Sequence, residues 1–482
     1  MIGIIARKEL REIGREARFR WSAAAVLLLL GAALASGVIG TRRATAERTA
    51  AIEADRREWL GQGPRNPHVA AHFGMYVFKP AAPMSLLDRG VETFTGTAVW
   101  IEAHNQNPAQ FRAADDATSM IRFGELTAAA VLQTLAPLLI IVVGFPLFAR
   151  ERERGTLRQL LSLGITPARL AAGKAAGALA ALALVLLPAI VIGVAALSLA
   201  GEIPFARLLF LAGAYGTYFL AIAALVIAVS ARASTSRAAL VTLLGFWIVA
   251  TFVIPRTAAD LGERLHRTPT DRQFWAGVSA DIAKGIDGHD PADARLKALE
   301  QRVLRQYGVA SLDKLPVSFQ GIALQAGEDY GNRVFDKHFA ALGQGFERQA
   351  QVQRAAGIVS PYVAIRDVSM SIAGSDVRHH LHFAQEAEEF RRTLLRYLND
   401  DLTRHSTGFG YKGGTSLWRD APVFAYERPS LLWAMRPVVT SVALLLAWLA
   451  GAAWLLVRSV AAMQPAPRRV ASPGLAARPR AA

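Results

Sequence analysis

The chain has no cysteine among its 482 residues. That absence excludes disulfides, thiol nucleophiles and thiolate metal sites together, so any part outside a membrane must hold by packing alone. Charge is missing just as completely from six long apolar stretches: 21–40, 126–148, 175–200, 208–229, 238–254 and 438–457 contain no Asp, Glu, Lys, Arg or His. Each is long enough to cross a hydrocarbon layer of roughly 30 Å as a helix, the conformation that satisfies its own backbone in lipid. Nucleotide-binding loops are absent too. Gly173-Lys174 lacks a phosphate loop's earlier glycine, which is Ala168 here, and Ala175 stands where Ser or Thr is needed. No His-Glu-x-x-His occurs.

What is present divides into spans and two long polar segments. The apolar fraction of 52% and mean hydropathy of +0.27 are high for a soluble chain, whereas 19% charged residues is too many for a bundle wholly in lipid. The net charge of +16 is concentrated beside span ends and points to anionic lipid rather than nucleic acid. Arg7, Lys8, Arg11, Arg15, Arg18 and Arg20 precede span one, and Arg150, Arg152, Arg154, Arg158, Arg169 and Lys174 lie between spans two and three. Arg232 and Arg237 follow span four, Arg458, Arg468 and Arg469 follow span six, and the link between spans three and four offers only Glu202 and Arg207. This asymmetry places both termini in the cytoplasm. Segments 41–125 and 255–437 then face outward and are long enough to fold, together, as one domain. The second reads as helical over Ala292–Tyr307, Phe319–Arg354 and His380–Leu398, with a fresh start at Ser360-Pro361. The first is rich in turn residues and yields no strand assignment, and the Pro/Ala/Arg stretch 464–482 reads as disordered. The expected fold is an all-α polytopic membrane protein: six transmembrane helices with a mostly helical extracytoplasmic domain built from two insertions.

Two cytoplasmic segments carry mechanism. Residues 1–20 predict an interfacial amphipathic helix with Ile2, Ile5, Leu10 and Ile13 on one face. Within 149–174, Leu157, Leu160 and Leu161 form a stripe at i, i+3, i+4, and Thr166-Pro167 is a cap and first-turn pair for the next helix. A solvated basic connector fits this segment as well as a docking helix does. Pro146, at the end of span two, is a hinge candidate equally readable as a tolerated proline. Gly173-x-x-x-Gly177 permits close helix packing, though the spacing arises easily in an Ala-rich stretch. His379, His380 and His382 near Glu386 and Glu389 fit an exposed charged helix better than a metal site, and no catalytic, cofactor-binding or metal residues are assigned. Proton-coupled transport has no intramembrane carboxylate or histidine in the six stretches, which offer mainly Gln133 and the kinking Pro137, Pro146 and Pro188.

The run Glu151 to Thr156, the following Leu-Leu-Ser stretch, the turn and Gly173-Lys174 resemble the cytoplasmic signature of ABC-2 type permeases. Ser360-Pro361, Ala373-Gly374, His380, Phe383, Arg391 and Arg392 resemble a subfamily with a large insertion between spans five and six. The resemblance implies a permease subunit of the bacterial inner membrane that exports with energy from ATP hydrolysed on a separate cytoplasmic subunit. It implies a second permease subunit, no cofactor bound by this chain, and no catalytic role of its own. Glu151, Gly155, Thr156, Leu157, Leu160 and Leu161 would contact the ATP-binding subunit. The alternative keeps the topology and makes the chain a force or signal relay to a periplasmic partner. No substrate follows from either reading.

Overall fold

The computed structural model describes residues 1–115, 125–201, 203–285, 292–406, 408 and 410–463. Glu202 and the 464–482 tail lie outside them. Among the described residues, six helices are long and apolar enough to span a membrane: Ala17–Gly61, Ala128–Glu153, Pro167–Ala200, Phe205–Arg232, Ser236–Leu265 and Leu431–Ala461. Each contains one of the six charge-free stretches or nearly all of it. They share one core, in which small residues such as Ala178, Ala181 and Ala231 let the helices approach.

The ends of these elements differ from the sequence reading in instructive ways. The leading helix is Ile2–Arg15, shorter than 1–20, because Glu16 adopts an extended conformation with ψ 125°. Span one does not stop near residue 40. Its helix runs 45 residues, Ala17–Gly61, roughly 68 Å at about 1.5 Å per residue. The polar stretch 41–61 keeps helical propensity, carried by its Ala, Arg and Glu residues, after hydrophobicity ends.

The two long polar segments fold on each other. From the first come the short helix Pro67–Phe73 and two strands, β1 (Met75–Phe78) and β2 (Ala98–Ile101), paired antiparallel with Met75 opposite Ile101. Their inward side chains Met75, Val77, Val99 and Ile101 join Phe383, Leu394, Leu398 and Trp418 of the second segment in one core. Trp59, near the end of the long helix, is fully buried there and donates through Nε1 to the Trp418 carbonyl at 3.0 Å. Span one is thus a continuous rod from the bundle into this insert domain.

The second segment also returns to the bundle. The helix Phe319–Ala355 descends along Ser236–Leu265, turns through Ala356–Ile358, and the helix Pro361–Ala373 climbs back between spans four and six. At the turn, Ser360 Oγ donates to the Ala250 carbonyl at 2.7 Å, and Trp448 Nε1 donates to the Gly357 carbonyl at 2.9 Å. Ala250 lies four residues inside the apolar run of span five and Trp448 ten inside that of span six, about 6 and 15 Å at helical rise. The insert therefore sends a helical hairpin into the apolar layer. Spans two and five each widen to a π-helical turn, Val131–Leu135 and Val249–Val253, and the Ser360 bond to Ala250 falls in the second of them.

Candidate functional site

On the bundle face opposite the insert domain, the leading helix lies across span three. Gly173 and Gly177 form the seat: a Cβ at Gly173 would sit 2.6 Å from Ile5 Cβ, and one at Gly177 2.7 Å from Glu9 Cβ and the Ala6 carbonyl oxygen. The G-x-x-x-G spacing is thus a real docking groove. Ile13 is buried in the core and Ile5 and Leu10 pack against it, while Ile2 stays exposed.

Beside that groove sits a lysine with no access to water. Lys174 is 1% exposed; its Nζ donates to Glu9 Oε1 at 2.7 Å and to Glu151 Oε1 at 2.8 Å, above the Phe148 ring. One ammonium thus ties the leading helix, span two and span three together. Arg150 adds a second tie, donating to Glu16 Oε1 at 2.6 Å. Burial alone would raise the Glu16 carboxyl, but hydrogen bonds from Arg150 and Arg18 outweigh it and hold the group below its ordinary value. Arg152 donates to the Ala233 carbonyl at 2.8 Å, and Glu153 accepts from the Ser236 N–H at 3.2 Å, which pins the same segment to the link between spans four and five.

From this clamp the chain turns at Gly155, whose φ of +76° is a left-handed conformation that favours glycine, into the short helix Thr156–Ser162. Leu157 points into the protein's own core, and Leu160 and Leu161 are half-buried against it. Glu151 is occupied by Lys174, while Gly155 and Thr156 are exposed. The surface that faces away consists of Arg154, Arg158, Gln159, Ser162 and Leu163, the last 77% exposed at the helix end. Thr166 caps the next helix as expected, accepting from the Arg169 N–H. At Pro146, Ser230 of span four fills the break. Its hydroxyl donates to the Phe145 carbonyl at 2.8 Å and accepts from the Phe148 N–H at 3.0 Å. Sequence reasoning did not single out Glu9, Ser230 or Leu163, and it met Lys174 only as a basic flank and in the Gly173-Lys174 pair of the signature. A carboxylate at Glu9 on the Ile5–Ile13 stripe was the readable signal, four residues from each.

This clamp-and-helix segment lies inside residues 97–253, which match the family model described as ABC-2 family transporter protein. Over those residues the chain is similar to ABC-2 family transporters. Residues 271–427 match a second model, a domain of unknown function (DUF3526), which covers most of the insert and its hairpin. A search of curated proteins finds no match.

The residues shared with the large-insert pattern turn out to be structural in this chain. Ser360 caps the climbing helix and Gly374 ends it. Phe383 is fully buried, and Arg391, 1% exposed, holds Glu388, Glu328 and Asn332. His379, His380 and His382 do not converge. His379 pairs with Asp376 at 2.6 Å, and His382 lies 3.2 Å from the Tyr426 hydroxyl. Burial, with the Lys79 and Arg112 charges, pushes His380 down to about 4.

Polar groups also enter the bundle from outside the six stretches, which alters the picture of an interior offering little beyond Gln133. Gln133 donates to the Tyr215 hydroxyl at 2.9 Å, which lies 3.1 Å from Ser369 Oγ, which donates in turn to Asp88 at 2.5 Å. Asp367 accepts from Ser441 at 2.6 Å and lies 3.5 Å from Arg354. Arg207, placed by the sequence in a short link, is buried and donates to the Ile372 and Pro429 carbonyls. The hairpin and the 84–88 turn supply these carboxylates.

Proposed function

We propose that this protein is the membrane subunit of an exporter, and that a separate ATP-binding subunit docks on the exposed face of Thr156–Ser162. The observation that carries the reading is the clamp. A docking helix transmits motion only if its base is fixed to the elements it must move, and Lys174 with Arg150 fixes that base to the leading helix and spans two and three. The contact then falls on Arg154, Arg158, Gln159, Ser162 and Leu163, with Leu157, Leu160 and Leu161 seating the helix from behind. An exposed Leu beside arginines is an anchor-and-rim arrangement suited to a groove on a partner. In this reading the face is cytoplasmic and the insert domain lies across the membrane from it. Two permease subunits pair, and Pro146 with its Ser230 staple is where span two bends.

The test is co-purification. Leu163→Asp leaves the core untouched, so the variant folds but loses the ATP-binding subunit and ATPase activity in the complex. Retention of a fully coupled ATPase by that variant contradicts the docking site.

One observation favours a second reading. Span one is an unbroken helix from the clamp region to Trp59 in the insert core, a geometry suited to relaying force to a protein partner outside. Stimulation of the assembled ATPase by transported compounds supports export, whereas stimulation by a protein acting on the insert domain supports relay.

A further inference from the structure

Away from the clamp, three histidines of the insert domain meet at one point. His68 and His72 are one turn apart on the helix Pro67–Phe73, and His104 comes from the turn after β2. One ligand nitrogen from each lies within 4.8 Å of the others, and the ring centroids are 4.7, 5.1 and 5.3 Å apart. The turn is held in place for this. The Ala103 N–H donates to the Ala71 carbonyl at 3.0 Å, and His104 adopts a φ of +67°, uncommon for a residue with a side chain.

The partner of His104 gives the arrangement its meaning. Buried Glu328, from the descending helix, accepts the His104 N–H at 2.8 Å and lies 2.8 Å from His104 Nδ1 through the same oxygen. Its other oxygen takes Arg391 at 2.8 Å. A carboxylate on Nδ1 fixes the proton there and leaves Nε2 with its lone pair. Metal-ligating histidines are usually oriented in this way, by a carboxylate or carbonyl behind the ring. His72 and His104 are exposed and His68 half-buried, so a cation held by three imidazoles would keep a fourth position open to water. With no thiolate anywhere in the chain, the donor set is all imidazole nitrogen, which suits a borderline divalent cation and not a soft monovalent one.

We propose that His68, His72 and His104 form a binding site for one divalent cation of the zinc class, with Glu328 as the carboxylate that orients His104. An ion there links the helix Pro67–Phe73 to the turn after β2. Through Glu328 it also links the first insertion to the second, so occupancy stiffens the join between them. The site is independent of the docking face and stands whether the protein exports or relays.

The experiment uses the full-length permease in detergent, purified without a polyhistidine tag and stripped with chelator. Zn2+ binding is measured by competition with a chromophoric chelator, and Co2+ provides the absorption spectrum of the ligand field. The expected result is one Zn2+ per chain, with His72→Ala and His68→Ala each lowering affinity at least about 10-fold and Glu328→Gln lowering it roughly 10–100-fold. The double variant H379A/H382A should bind as the parent does. His72 is exposed, so its replacement leaves the fold intact, and an unchanged elution profile confirms that. No saturable binding by the parent overturns the proposal. So does binding that survives His72→Ala, or a Co2+ spectrum characteristic of six-coordinate oxygen ligation.

Discussion

Replacing Lys174 by Met is the most informative single perturbation of the clamp. Lys174 Nζ lies 2.7 Å from one carboxylate oxygen and 2.8 Å from another, so those oxygens are no more than about 5.5 Å apart. Without the ammonium, two charges at that separation repel by about 3 kcal/mol at an effective dielectric of roughly 20, an upper bound because the half-exposed Lys8 ammonium stays 3.1 Å from Glu9 Oε1 and 3.8 Å from Glu151 Oε1. The methionine fills the space and keeps contact with Phe148, so packing loss is small. A loss of about 3 kcal/mol also matches the usual cost of breaking a buried ion group by removing one partner, roughly 3–5 kcal/mol. The assay is unfolding by SDS titration in mixed micelles, run as a cycle with Glu9→Gln and Glu151→Gln. The triple variant should recover most of the loss, because the one charge it leaves beside the cluster, Lys8, is half-exposed and still paired with Glu12 at 3.0 Å. If Lys174→Met unfolds within about 0.5 kcal/mol of the parent, or if the triple variant is no better than the single, the clamp is not electrostatic and the reasoning fails.

Other outcomes follow from the same geometry. Gly177→Leu drives a side chain into the Ala6 carbonyl and Glu9, costing about 1–3 kcal/mol; limited proteolysis should cut the leading helix faster. Ser230→Ala strands the Phe148 N–H and the Phe145 carbonyl and should lower stability by about 1–3 kcal/mol, while Ser230→Thr, tested by the same SDS titration, keeps a hydroxyl and loses less. Arg391→Met leaves buried Glu328 without its guanidinium and Glu388 with Arg392 alone, so the insert domain should become protease-sensitive. Arg391→Lys should rescue it only in part, because an ammonium cannot match the guanidinium fork. His380 is held neutral, with its affinity for a proton pushed down to about 4, so the unfolded chain binds a proton that the folded one refuses. Its contribution is intact above about pH 6.5 and is lost as pH falls through 4, up to roughly 3 kcal/mol. His380→Gln should flatten that part of the insert domain's unfolding profile against pH.

The spans were legible because a membrane helix announces itself through one property, an uncharged run of sufficient length. The long insert helices were legible through periodicity: Ala292–Tyr307 was read with the ends it has in the structure. The hairpin was not, because Phe319–Ala355 and Pro361–Ala373 carry Arg354 and Asp367 and look like ordinary soluble helices. Their place in the bundle depends on pairings such as Ser360 with Ala250, 110 residues away. β1 and β2 are four residues each, too short to show alternation among so many turn residues. The stripe of Leu157, Leu160 and Leu161 lies on one short helix as its spacing suggested, but spacing does not tell which side a stripe faces. Leu157 faces inward, and the exposed end at Leu163 falls outside the i, i+3, i+4 pattern. The clamp joins residues 165 positions apart, and the histidine site adds His104 to an i, i+4 pair that alone says little.

The absence of cysteine offers the most direct test of the docking face, since a single introduced thiol has no background. Leu163→Cys in the full-length permease can be probed with a membrane-impermeant maleimide, with and without the ATP-binding subunit. Labelling is expected from the cytoplasmic side only, with protection when that subunit is bound. Labelling of intact cells from outside, or labelling unaffected by the bound subunit, would contradict the docking face.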